Sequence, residues 1–100
     1  MYVCGFVISL SIKELSKVNY PYFKKRTLEE RLGATVRKHA ENLEAVGIVL
    51  EDNFDSDFIF YSKEVAEVIL KKCVEDLSED LGKGATLEIK YQQMYLSVGD

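Results

Sequence analysis

The chain has 100 residues, 47% of them apolar, and its 17 acidic and 13 basic side chains leave a net charge of −4. This is enough apolar chain for one core and too little for two, so residues 1–100 are expected to form a single domain. The mild acidity argues against a protein held along nucleic acid by charge alone, and no apolar run approaches the roughly 18 residues of a membrane span.

Residues 2–10, YVCGFVISL, alternate strictly: Tyr2, Cys4, Phe6, Ile8 and Leu10 share one side, Val3, Gly5, Val7 and Ser9 the other. That is a strand with one heavily apolar face. The start MYVCGFVISL lacks the basic segment and small-residue cleavage site of a signal peptide. Cys4 and Cys73 both sit in apolar periodic segments, which predicts two buried thiols and a cytoplasmic, reducing location. Ser11 and Glu14 have capping-box spacing and predict a short helical turn before Pro21 ends it. A second box, Thr27 with Glu30, predicts the start of an amphipathic helix carrying Leu28, Leu32, Thr35, Val36, Leu43 and Val46 on one stripe. Gly47 stands where its C-terminal cap belongs.

Two short strands follow, IVLE and DFIFY, joined by the turn-forming residues DNFDS. Ser62 is placed to cap a further helix with Val65, Ala66, Ile69, Leu70, Cys73 and Leu77 on one face, ended by Gly82 and Gly84. The last strand is expected from about Thr86 to Val98. Leu87, Ile89 and Tyr91 share a parity that Met94, Leu96 and Val98 do not, which predicts a bulge near Gln92 and Gln93. The order βαββαβ predicts an α+β two-layer sandwich of ferredoxin-like topology, with a four-stranded antiparallel sheet and both helices on one face.

Charge is unevenly spread. Residues 1–39 hold eight Lys/Arg and three acids, a net of +5, whereas residues 40–82 hold three and twelve, a net of −9. The topology brings three clusters to one end of the sheet: Lys24, Lys25 and Arg26 after the first strand, Asp52, Asp55 and Asp57 around the hairpin, and Glu75, Asp76, Glu79 and Asp80 at the end of the second helix. Acids in a last turn oppose the helix dipole, so a basic partner surface is one way to offset them. The aromatics Tyr20, Tyr22 and Phe23 beside the three cations are expected to plug the end of the core. The alternative is a single-stranded RNA- or DNA-binding module built from those aromatics and Lys24 to Arg26, but nearby acids repel a polyanion within a Debye length of about 8 Å.

Catalytic chemistry is poorly supported. The single histidine, His39, lies in the apolar stripe of the first helix and is expected to be a core or boundary residue. One His and two separated Cys give no zinc spacing, DNFDSD lacks the register and distal Glu of a calcium loop, and GKGAT is only a glycine-rich turn. DFIFYSK lacks the glycine and ordered aromatics of an RNA-recognition motif. No metal, cofactor or enzymatic activity is therefore expected. If the even-numbered side of the first strand meets the helices, Val3 and Val7 point away together with one pair of Phe58/Phe60 or Ile59/Tyr61, and Val3, Val7, Ile59 and Tyr61 are the candidate apolar patch for homodimerisation on the open sheet face. The sequence thus points to a non-enzymatic binding or regulatory protein that self-associates through its sheet and offers an acidic end to a basic protein partner.

Overall fold

The computed structural model describes residues 2–12, 22–45, 47–51, 56–82 and 84–95. Seven elements run in order: β1 (Tyr2–Ile12), α1 (Tyr22–Asn42), β2 (Gly47–Glu51), β3 (Ser56–Phe60), α2 (Lys63–Asp76), α3 (Ser78–Leu81) and β4 (Ala85–Tyr95). The fold is α+β with an antiparallel sheet, as the alternation and helical stripes imply. β1 pairs with β4 from Tyr2↔Tyr95 to Ile12↔Ala85 and with β3 at Phe6↔Phe60, while β3 pairs with β2 from Gly47↔Phe60 to Glu51↔Ser56. The strand order is β2-β3-β1-β4.

The helices bury most of the stripes that their spacing marks; Leu43, expected on the α1 stripe, is instead exposed beyond the helix end, and Val46 lies outside the described residues. Leu28, Leu32, Val36 and Ala40 of α1 meet Ala66, Ile69 and Cys73 of α2, with Leu77 and Leu81 closing one end, against Ile8, Phe60 and Ala85 of the sheet. Phe6, Leu10, Ile12, Leu87 and Ile89 pack partly buried beneath the same cluster. The even side of β1 therefore faces the helices. Phe58 and Phe60 do so too, their ring centroids 4.5 Å apart.

α1 begins five residues before the expected Thr27 cap, so Lys24, Lys25 and Arg26 lie inside its first turns. The Thr27 and Glu30 pair, three apart, is an interior helical pair here. Gly47 is not the helix cap either; it opens β2. The helix ends in a Schellman arrangement: Ala45 N–H donates to Ala40 O at 2.8 Å and Glu44 N–H to Glu41 O at 3.1 Å, with Glu44 itself at φ 50. A residue with a Cβ thus occupies the left-handed position that glycine usually fills.

Ser62 caps α2 as its sequence implies, its hydroxyl accepting from Val65 N–H at 3.3 Å and donating to Glu64 at 3.0 Å. A backbone hydrogen bond, then the Ser62 hydroxyl, hold the Glu64 carboxyl below its ordinary pKa. The single run expected to Gly82 is broken at Leu77, which is buried and donates its N–H to Cys73 O, before the short α3.

β4 keeps one register with β1 throughout its length, so no bulge occurs at Gln92 and Gln93. Met94 is paired with Val3 in that same register. Residues beyond Tyr95, and the short helical turn expected before Pro21, lie outside the described residues; Ser11 itself belongs to β1.

Candidate functional site

The expected apolar patch on the open face is not an exposed one at its centre. Val7 is only 5% exposed and Ile59 0%, though neither belongs to the cluster under the helices. Tyr61 is half exposed, and the Val3 side chain lies outside the described residues. Gly5 explains part of this: a Cβ there would collide with Ile59 Cγ2 and come 2.6 Å from Phe60 O. β1 and β3 approach so closely that the strand needs a residue without a side chain.

Two of the three charge clusters do meet. Arg31, one turn beyond the KKR segment, bonds Asp80 Oδ1 of α3 at 2.6 Å, and a cavity of about 180 Å³ beside it is lined by Lys24, Thr27, Leu28 and Asp80. Farther along the seam His39 Nε2 lies 2.6 Å from Asp76 Oδ2. Glu75, Asp76, Glu79 and Asp80 are all exposed. Asp52 and Asp55 lie outside the described residues, as does the Asp57 side chain.

The stretch 73–82, CVEDLSEDLG, carries these four carboxylates and no cation of its own. α2 has no basic residue in its last turn. His39 and Arg31 of α1 supply two counter-groups, each bridging helices distant in sequence. Exposed pairs of this kind contribute about 0–1 kcal/mol, so they orient the seam more than they stabilise it.

The KKR segment presents its own electrostatic conflict. Three cations at a helix N-terminus oppose the dipole, and the first turn of α1 holds no acid. Lys25 approaches Glu29 at 3.9 Å and Arg26 approaches Glu30 at 3.7 Å, both four residues on. With the cation N-terminal to the acid this is the weaker order of such pairs. The expected aromatic plug lies outside the described residues: Tyr20 altogether, Tyr22 and Phe23 in their side chains.

His39 is a boundary residue, 15% exposed, held by Asp76. Among the described residues no group of three His, Cys, Asp or Glu side chains is arranged to hold a metal ion, and no helix is long and apolar enough to cross a membrane. Cys73 is buried, and burial followed by the nearby Asp76 charge pushes its thiol up to about 11. Cys4 departs from expectation: it is exposed. The helix layer does not extend over this end of β1, where Tyr2 is 67% and Tyr91 65% exposed. Phe6 and Tyr91, paired across β1 and β4, meet edge to face at 5.4 Å, and contact with the Cys4 thiol raises the Tyr91 phenol above its ordinary pKa.

Sequence reading missed the two bridges from α1, one to α2 and one to α3, because both join residues more than 35 positions apart. It also missed the exposed β1–β4 end, where alternation continues beyond the core. No protein-family model matches the chain, and neither the curated proteins nor the solved structures give a significant match.

Proposed function

We infer that the chain is a ferredoxin-like, non-enzymatic binding protein of regulatory type, which presents the acidic end of α2 and α3 to a basic protein surface. The antiparallel pairing of β1 with both β3 and β4 supports the fold assignment. The observation that carries the function is the run of four exposed carboxylates over residues 75–80, at a helix end whose dipole is itself negative. Such an end attracts cations over about a Debye length and steers a basic partner before contact. Glu75 and Glu79 are the residues a partner engages first, since Asp76 and Asp80 already bind His39 and Arg31. Two free cysteines suit a reducing, cytoplasmic setting.

The alternative, a single-stranded nucleic-acid module at Tyr20 to Arg26, is less supported. Two of its three cations are paired with acids on their own helix, and the third lines a cavity with Asp80. Self-association centred on Val7 and Ile59 is also disfavoured, because both side chains are buried within one chain.

The test is affinity capture from native cell extract on the immobilised chain, repeated with Glu75→Lys combined with Glu79→Lys. A captured protein that elutes as salt rises and is lost with the variant supports the reading. Equal capture by the variant contradicts it.

A further inference from the structure

β4 is an edge strand: β1 pairs with one side of it, and no strand among the described residues pairs with the other. Edges of this kind are normally blunted by shortness, proline, a bulge or unmatched charge. β4 has eleven residues, no proline and one unbroken register. It does carry charge, in Glu88 and Lys90, and their spacing decides what the edge fits.

We propose that two copies of this chain join through their β4 edges, antiparallel about a two-fold axis at Ile89. In that register Ile89 lies beside Ile89 of the partner subunit. Glu88 faces Lys90 of the partner subunit, and Lys90 faces Glu88 of the partner subunit. Leu87 and Tyr91 likewise exchange partners, so each strand supplies both halves of every pair. An isologous contact requires this self-complementarity. Moving the axis one residue either way sets Glu88 or Lys90 against its own copy, which like-charge repulsion disfavours.

Both helical layers then lie on the same side of one continuous sheet, because residues directly opposite across an antiparallel pair point the same way. Tyr91, 65% exposed in the single chain, is covered by a leucine. Within one chain Lys90 Nζ already lies 3.4 Å from Glu88 Oε1, both side chains about half exposed. Association exchanges the same-strand pair in each of the two copies for a cross-strand pair, two for two, so no charge is left unmatched. The surface is distinct from the acidic end at Glu75 to Asp80, and the two claims stand or fall separately.

The experiment is sedimentation equilibrium of the full chain up to about 100 μM, a concentration that detects contacts far weaker than micromolar, with circular dichroism to check folding. The wild type is expected to dimerise. Lys90→Glu and Glu88→Lys each set like charges opposite one another and are expected to weaken the dimer at least tenfold. The double variant Glu88→Lys/Lys90→Glu restores opposite charges and is expected to recover it, and an equal mixture of the two single variants is expected to form a heterodimer. A monomeric wild type overturns the proposal. So does a dimer indifferent to both single changes, or one that the double variant fails to restore.

Discussion

His39 Nε2 lies 2.6 Å from Asp76 Oδ2, joining the last turn of α1 to the last turn of α2. The contact places a donor over the negative end of each helix, where a cationic or donating group is favoured. Because His39 is largely buried, His39→Ala is expected to lower stability by about 1–3 kcal/mol through lost packing and an unmatched Asp76. A double-mutant cycle with Asp76→Ala, read by urea unfolding, should give a coupling of about 0.5–1 kcal/mol. A coupling of zero would show that the two side chains merely sit side by side.

The two thiols should behave oppositely. Cys4 is exposed and Cys73 is buried, so an alkylating reagent at neutral pH is expected to modify one thiol per folded chain and two after unfolding. The Cys73 thiol titrates near 9 when unfolded and is pushed up to about 11 in the fold. The unfolded chain therefore loses this proton first, and the contribution of Cys73 to stability is complete below pH 9 and declines as pH rises toward 11. The stability difference between wild type and Cys73→Ala should shrink over that interval. A constant difference would contradict the burial of the thiol.

Glu44 holds φ 50 at the C-terminal cap of α1. Glu44→Gly removes the Cβ that makes this conformation costly and is expected to stabilise the protein by about 0.5–1 kcal/mol. Thermal unfolding checks this; a destabilised variant would mean that the cap is made otherwise.

The helical stripes were legible because each returns every three or four residues and nothing interrupts it: Leu28, Leu32 and Val36 on α1, and Ala66, Ile69 and Cys73 on α2, are all core. The ends of α1 were not. Tyr22 to Arg26 carry cations where a helix start favours acids, so the Thr27 and Glu30 pair looked like the better beginning. At the other end the cap is a glutamate, while the nearby Gly47 belongs to a strand. In β4 the expectation of a bulge came from assigning every apolar side chain to one face, whereas the strand keeps one register with β1 from Ala85 to Tyr95. The acidic end was legible as composition. Its pairing with His39 and Arg31 was not, since residues 37 and 49 positions apart meet only through the packing of α1 against α2 and α3.

The close approach of β1 to β3 makes two further substitutions informative. Gly5→Ala drives a methyl group into Ile59 and the Phe60 carbonyl and is expected to cost about 1–3 kcal/mol. Val7→Lys places a charge where the wild-type side chain is 5% exposed and is expected to cost about 3 kcal/mol or more, giving an unfolded or much weakened chain and not a folded monomer. Denaturant unfolding distinguishes these outcomes. A stable, folded Val7→Lys chain would return the open sheet face to consideration as an exposed surface.

The central claim, that the acidic end serves a basic protein surface, is tested most directly by one paired titration. The labelled chain is titrated at about 150 mM salt, where the Debye length is about 8 Å, with a Lys/Arg-rich peptide and separately with a single-stranded oligonucleotide, binding being followed by fluorescence anisotropy. The account predicts that the peptide binds, that its affinity falls as salt rises, that Glu75→Lys with Glu79→Lys abolishes it, and that the oligonucleotide does not bind. Micromolar binding of the oligonucleotide, lost with Lys24→Glu and Lys25→Glu while the peptide shows none, would contradict the account and place function at the start of α1.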